Sequence, residues 1–161
     1  MTARLTEGCL KPHPFLNGCS SEFLNHLEEF SREVEFAAGD IILREGDYAD
    51  RFYLICEGKV VLESGSNGNP RIPLQILGPG EALGWSWLYP PFEWHFSARA
   101  LEPCRAVALN APALLILAEK DSVFGCELFK RIGKQVIQRL QATRRRLVDE
   151  VLSRKGCDYT I

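Results

Sequence analysis

The sequence predicts a mainly β fold with flanking helices: an eight-stranded antiparallel β-roll of the jelly-roll type, followed by a long C-terminal helix. From Val34 to Leu109, short apolar runs alternate with turns rich in Gly, Asp and Asn, as is typical of short strands. After Leu109, apolar residues recur at intervals of three and four, which indicates helices. The chain has 161 residues, of which 46% are hydrophobic, so residues 1–161 are expected to form one globular domain.

The first part of this domain, residues 14–31, is predicted to contain one short helix. Ser20 or Ser21 can cap it by accepting a hydrogen bond from a free backbone N–H group. Its apolar residues share one helical face and are Phe23, Leu24, Leu27 and Phe30. The roll, residues 32–109, follows with the runs VEF, IILR, RFYLI, KVVLES, RIPLQIL, FSARAL and CRAVAL. Glycines between these runs predict tight turns.

The last part, residues 110–154, is predicted to be helical. Asn110 with Pro112 is expected to open one helix and Asp121 a second, and residues 133–153 should form a long one. One apolar stripe runs along it, made of Ile132, Val136, Leu140, Thr143, Leu147 and Val151. The stripe permits two interpretations. Either two such helices pair in a homodimer, which is the predicted arrangement, or the helix packs as a lid on its own roll.

Charge and composition exclude several classes of function. The formal net charge is −2, so the surface as a whole does not attract nucleic acid or anionic membranes. The first twenty residues lack the apolar core of a signal peptide, and no later run is long enough to span a membrane. We therefore expect a cytoplasmic protein. The six cysteines are scattered without a CxxC pair, which predicts reduced thiols and no disulfide.

Three stretches carry a resemblance to a known family. They are FAAGDIILREGDYADRFYLICEGKVVL (residues 36–62), LGPGEALGWSWL (77–88) and ARALEPCRAVAL (98–109). Together they resemble the cyclic-nucleotide-binding domain of the cyclic-AMP receptor and fumarate-nitrate regulator (Crp/Fnr) family, over roughly residues 15–153. The resemblance implies a β-roll of the cyclic-nucleotide-binding type, acting as a stand-alone regulatory domain rather than as an enzyme.

The resemblance also implies a ligand site at the Gly80-Glu81 step. In this family, that step begins a phosphate-binding cassette, in which free N–H groups and a downstream Arg hold the cyclic phosphate. Trp94 stands where the phosphate Arg is expected and His95 where Ser or Ala is usual, while Arg99 matches a strand position. Losing a bidentate charged contact to a buried phosphate costs on the order of 2–5 kcal/mol. Weak cyclic-AMP binding is therefore predicted.

The terminal helix supplies the other half of the family's pocket. Residues 139–143, RLQAT, resemble the stretch that contacts adenine in the receptor, which implies that Thr143 faces the base and that Arg139 pairs with Glu81. The alternative is that Thr143 lies in the dimer seam and Arg139 is solvated. The candidate ligand-binding residues are Gly80, Glu81, Ala82, Leu83, Trp94, His95, Ser97, Arg99, Arg139 and Thr143.

All three tryptophans fall between Leu83 and Ala100, which raises the question of function. These rings can close the roll, line a pocket for a flat ligand, or anchor a partner protein. We predict a non-catalytic, small-molecule-sensing regulatory module whose ligand is a cyclic nucleotide or another small planar molecule. A protein-interaction scaffold is the alternative. A cupin-like enzyme is disfavoured because no HxH motif is present, and no metal site is predicted. No direct DNA binding is expected, because only Lys155 to Ile161 follow the long helix.

Overall fold

The computed structural model describes residues 8–65 and 70–154. The strands of the described part are β1 (Ser31–Phe36), β2 (Ile41–Leu43), β3 (Arg51–Glu57), β4 (Val60–Ser64), β5 (Ile72–Leu77), β6 (Ala82–Leu83), β7 (Ser97–Ala100) and β8 (Cys104–Asn110). The helices are α1 (Ser21–Glu29), α2 (Ala111–Lys120) and α3 (Ser122–Arg154), with short 3-10 helices at Pro14–Leu16 and Ser86–Leu88. The predicted eight-stranded roll with a long C-terminal helix is confirmed.

Two four-stranded sheets face each other, in the orders β1-β8-β3-β6 and β2-β7-β4-β5. Every strand pairing is antiparallel. Alternate residues of the central strands point inward, so that Phe52, Leu54 and Val107 are fully buried. The cavity between the two sheets, next to Leu83, has a volume of only about 10 Å³. Side chains therefore fill the inside of the roll, and a ligand must bind at its surface.

The helices begin where the sequence predicts caps. Ser20 Oγ accepts the Phe23 N–H at 3.1 Å, which makes Ser20 the cap of α1. Asn110 Oδ1 accepts the Ala113 N–H at 3.1 Å at the start of α2. The region after Asp121 differs from the prediction, since α3 is one continuous helix of 33 residues rather than two. An internal glycine costs a helix only about 1 kcal/mol, so Gly133 does not end it.

The N-terminal segment corrects one prediction. Cys9 and Cys56 form a disulfide with their Cα atoms 6.0 Å apart, so the expectation of no disulfide is wrong. Sequence spacing could not reveal this pair, because residues 8–16 pack back onto β3 only in the folded chain. His13 is buried there; its Nε2–H donates to the Ile55 carbonyl at 2.9 Å, and its Nδ1 accepts the Phe15 N–H at 3.1 Å.

Helix α3 has a buried half and an exposed half. Phe124, Leu128 and Ile132 are buried against the roll and α1. Farther along the same helix, the exposed fraction is 67% for Leu140 and 61% for Leu147. The apolar stripe read from the sequence is thus covered by its own domain at one end and uncovered at the other. None of the described helices combines the length and hydropathy that a membrane crossing requires.

Candidate functional site

The turn between β5 and β6 presents the Gly-Glu step. Gly80 has a φ of +88°, a conformation that favours glycine, and a Cβ atom there would lie 3.1 Å from Pro14 Cγ. Its N–H donates to the Ile55 carbonyl at 2.9 Å, and the Ile55 N–H donates to the Glu81 carbonyl at 2.9 Å. The backbone of the step is therefore fixed to β3 on one side and to the N-terminal segment on the other.

The Glu81 carboxylate is held by its own turn. Its Oε2 accepts the Gly78 N–H at 2.8 Å. A charged acceptor makes this a stronger bond than a neutral pair would. The turn thus orients a negative charge at the start of the cassette.

Helix α3 contacts the next residue through its backbone. Gln135 Oε1 accepts the Ala82 N–H at 3.4 Å, and Arg139 Nη2 donates to the Ala82 carbonyl. Residues 135 and 139 are one helical turn apart, so they lie on one face of α3. This face contacts the N–H and the carbonyl group of Ala82 and brings Arg139 to the cassette. The resemblance implied a pair between Arg139 and Glu81, but Arg139 donates to the Ala82 carbonyl and Glu81 accepts from Gly78.

The Arg139 guanidinium is only partly satisfied. Its Cζ lies 4.1 Å from the centre of the Trp85 ring, a cation–π contact. Its Nε and Nη1 atoms are buried without a hydrogen-bond partner. Burial lowers the pKa of Arg139 to about 10, and the negative charge of Glu81 opposes that shift. The group therefore stays protonated at neutral pH, and two of its donor atoms are buried without an acceptor.

The segment after β6 is built around a buried indole. Only 4% of Trp94 is exposed, and a Cβ atom at Gly84 would lie 2.8 Å from its ring. Its backbone N–H donates to the Asp47 carbonyl and its carbonyl accepts the Gly46 N–H, both at 2.9 Å. Trp94 therefore belongs to the core, which supports the interpretation that the aromatic rings close the roll. His95 beside it is exposed.

The remaining predicted residues lie apart from Arg139. Ser97 Oγ accepts the Glu45 N–H at 3.0 Å. Arg99 donates to Glu63 Oε1 at 2.5 Å, and this hydrogen bond raises the pKa of Arg99. Thr143 is exposed on α3. The structure therefore brings together Gly80, Glu81, Ala82, Leu83 and Arg139. In the described part of the chain, no hydrogen bond or ion pair joins Trp94, His95, Ser97 or Arg99 to the Arg139 guanidinium. Thr143 follows Arg139 by one turn on the same face of α3, but its side chain is exposed.

Sequence reasoning missed two residues of this site. Trp85 is one of the three tryptophans of the aromatic segment but is not among the predicted site residues, and its ring stacks against Arg139. Gln135 was not singled out, although its spacing of four from Arg139 places it on the same helical face. The spacing was visible in the sequence. The contact with Ala82 was not, because it depends on where α3 crosses β6.

The sequence profile of the cyclic nucleotide-binding domain matches residues 33–121 of this chain. The match covers the roll, the Gly-Glu turn and α2. The chain belongs to the cyclic nucleotide-binding domain family. The resemblance inferred from the three sequence stretches is therefore confirmed.

Relatives of this family member include channels and regulators. The potassium channel SKOR of Arabidopsis thaliana is 26% identical over 129 residues, which cover 79% of this chain and 14% of the channel. The cyclic AMP receptor protein of Thermus thermophilus is 30% identical over 111 residues, which cover 69% of this chain and 51% of the receptor. The chain thus spans about half or less of these relatives, and shares with them a regulatory domain.

Solved structures show the same fold. A crystal structure from Geobacter metallireducens matches with a TM-score of 0.72 and 29% identity, and the match covers 80% of this chain and 93% of that one. The catabolite activator protein of Thermus thermophilus matches with a TM-score of 0.65 and 26% identity, covering 87% of this chain and 63% of that one. The predicted Crp-like roll and its regulatory class are consistent across both kinds of comparison.

Proposed function

We propose that this family member is a non-catalytic sensory module with a divergent phosphate cassette, and that cyclic AMP at micromolar concentration does not engage it. The proposal rests on the different partners of the two candidate arginines, Arg99 and Arg139. Arg99 is held by Glu63, whereas Arg139 faces the cassette with two unpartnered donor atoms. Binding of an anion by Arg99 on β7 is therefore disfavoured, and binding by Arg139 on α3 is favoured.

The Glu63 carboxylate keeps Arg99 out of the cassette. Only 6% of the Glu63 side chain is exposed, and Arg99 Nη2 contacts it at 2.5 Å. Turning Arg99 toward a phosphate would leave a buried carboxylate with Arg71 alone, at 3.7 Å. Removing one partner of a fully buried ion pair costs about 3–5 kcal/mol, and because 34% of the Arg99 side chain is exposed the cost here is about 2 kcal/mol. The free energy of phosphate binding by Arg99 would be reduced by that amount. Arg99 is therefore a poor substitute for the missing cassette arginine.

The chemistry around Arg139 indicates the class of ligand. Buried donors without partners cost roughly 1–3 kcal/mol each, and a ligand oxygen would recover that energy. The guanidinium is planar and covers the Trp85 ring on one side, so a planar group stacked on its other side is favoured. The proposed ligand is therefore a small planar molecule that carries a carboxylate, carbonyl or phosphoryl oxygen.

Calorimetry and native mass spectrometry test this assignment. We expect no heat and no rise in melting temperature with cyclic AMP up to about 100 μM; a one-to-one titration with a micromolar Kd would refute the proposal. Native mass spectrometry of protein purified from its own cells should show a retained small molecule. Arg139→Gln should release it, and Arg145→Gln, a change at an exposed site on the same helix, should not.

A homodimer through α3 is part of the proposal. Leu140, Leu147 and Val151 are 67%, 61% and 38% exposed, so α3 leaves one apolar face uncovered. The edge strand β5 adds Ile72 and Ile76, 61% and 58% exposed. Burying one such side chain contributes about 1.5–3 kcal/mol. A second copy of the chain that packs on this surface would bury these exposed apolar side chains.

The dimer is tested by mass measurement in solution. Light scattering coupled to size-exclusion chromatography should give twice the chain mass, and Leu147→Glu should give the single-chain mass. Ile116→Glu, on α2 and 54% exposed, is the matched control and should remain dimeric. A monomeric wild-type protein would contradict the proposal and favour the helix as a lid.

The alternative, a scaffold for a partner protein, rests on two exposed tyrosines. Tyr89 is 76% exposed and Tyr48 is 61% exposed, whereas Trp87 and Trp94 are buried. Capture of a partner that Tyr89→Ala abolishes, with ligand retention unchanged, would favour the scaffold. The cytoplasmic location stays a prediction, and so does the absence of direct DNA binding.

A further inference from the structure

We propose that Glu22, His26 and Asp121 form a binding site for a divalent transition metal ion, outside the cassette. One ligand atom from each of the three side chains lies within 4.8 Å of the other two. Among residues 8–65 and 70–154, this is the one such group of three. Zinc places its nitrogen and oxygen ligands at about 2.0–2.2 Å in a tetrahedron, and hence about 3.4 Å apart. Side-chain adjustments of less than about 1 Å would complete the site.

Two elements that are distant in sequence supply the ligands. Glu22 and His26 are one turn apart on α1, so both project from one face of that helix. Asp121 lies at the junction of α2 and α3. The three line one cavity of about 170 Å³, together with Phe124 and Glu127. An ion bound there would cross-link α1 to the first turn of the long helix.

The Asp121 carboxylate is already oriented for this role. Its Oδ1 accepts the Val123 and Phe124 N–H groups, both at 3.0 Å, as the cap of α3. The cap fixes the plane of the carboxylate and leaves Oδ2 for a metal ion. Outer hydrogen bonds of this kind hold ligands in place at metal sites.

His26 decides the class of metal. Its ring is held edge-on against Phe124, with the centroids 5.4 Å apart, and it is half-buried. An imidazole nitrogen favours zinc, nickel or copper, whereas a purely carboxylate cluster would favour calcium or magnesium. Three protein ligands with water in the remaining position are a coordination that zinc adopts.

The third acidic side chain at the cavity, Glu127, is paired with an arginine. Glu127 Oε1 accepts two hydrogen bonds from Arg131, from Nη2 at 2.8 Å and from Nε at 3.2 Å. Arg131 is itself fixed, because its Nη1 donates to the Phe15 carbonyl at 2.6 Å. Glu127 is therefore paired with Arg131 and is not proposed as a metal ligand, which leaves Glu22, His26 and Asp121 as the three ligands.

Zinc titration of the full chain tests the site. Free thiols also bind zinc, so they are first alkylated with iodoacetamide. We expect one zinc ion per chain and a rise in melting temperature of roughly 5–10 °C at a zinc concentration about 100 times Kd. Absence of binding, or a larger response to magnesium than to zinc, would overturn the proposal.

Five variants locate the ion. Glu22→Gln, His26→Gln and Asp121→Asn should each weaken zinc binding at least about tenfold, since each removes one of three ligands. Asp121→Asn keeps an oxygen that can cap α3, and His26→Gln leaves the cap unchanged but removes a ring contact with Phe124. Loss of zinc binding is therefore assigned to the lost ligand when the zinc-free variant melts like the wild type. His95→Gln and Glu29→Gln change exposed residues outside the cluster and should bind as the wild type does. The reverse pattern would place the ion elsewhere.

Discussion

Replacing Arg99 with Met tests the ion pair on which the divergent cassette depends. In the wild type, Glu63 sits opposite β7 with 6% of its side chain exposed and accepts two hydrogen bonds from Arg99, at 2.5 and 3.4 Å. Met replaces the apolar stem of the arginine and removes its charged group. The variant would leave Glu63 with Arg71 as its one remaining ion-pair partner in the described part of the chain.

The geometry sets the size of the effect. Breaking a fully buried ion pair costs about 3–5 kcal/mol, whereas an exposed pair contributes about 0–1 kcal/mol. Since 34% of the Arg99 side chain is exposed and Arg71 can move closer to Glu63, we expect a loss near 2 kcal/mol in the free energy of unfolding. For a chain of 161 residues, that is a fall of about 4–8 °C in melting temperature.

Thermal unfolding measured by circular dichroism is the assay, and two variants make it specific. Arg105→Met breaks the Glu57 pair, whose side chains are 37% and 63% exposed, and should lower the melting temperature far less. Adding Glu63→Gln to Arg99→Met should recover most of the loss, because no buried charge then remains. If Arg99→Met melts like the wild type, Arg99 is free to bind a phosphate, and the reasoning against cyclic AMP fails.

Three further predictions concern the segments that support the cassette. Gly80→Ala should destabilise the fold by about 1–2 kcal/mol in chemical denaturation, because Gly80 has a φ of +88°; an unchanged midpoint would show that the turn can relax. Burial lowers the pKa of His13 below its usual 6.5, so the unfolded chain binds this proton more readily and stability should fall as pH drops below about 6.5. His13→Gln should flatten that slope relative to the wild type, whereas His95→Gln should keep it. Cys9→Ser should lower stability by about 2–4 kcal/mol, because the Cys9–Cys56 bond closes a loop with a sequence separation of 47; equal stability under oxidising conditions would contradict this.

The sequence determined the elements of the fold, because their signals are local. Ser20, Asn110 and Asp121 cap helices through bonds to residues two or three positions away. Apolar runs and turn residues marked seven of the eight strands, all except the two-residue β6, and the Gly-Glu step marked the start of the cassette. The family followed from the spacing of these motifs. Each of these features depends on residues that are neighbours along the chain.

The tertiary structure decided what the candidate site residues contact. Arg99 was predicted at the ligand, but its partner Glu63 lies 36 residues away and faces it only because β4 pairs with β7 in the register that sets Val61 opposite Arg99. A cross-strand diagonal of this kind depends on register. The burial of Trp94 depends in the same way on how the loop folds over Gly84.

The disulfide and the proposed metal site also depend on contacts between distant segments of the chain. Cys9 with Cys56, and His26 with Asp121, are pairs from segments that meet only when the N-terminal part packs on β3 and α3. No periodicity or spacing encodes such a meeting. The sequence by itself determined which elements form and which chemistry-bearing residues they carry. Packing alone decided which of those residues touch, because contacts between distant segments depend on how each element crosses the next.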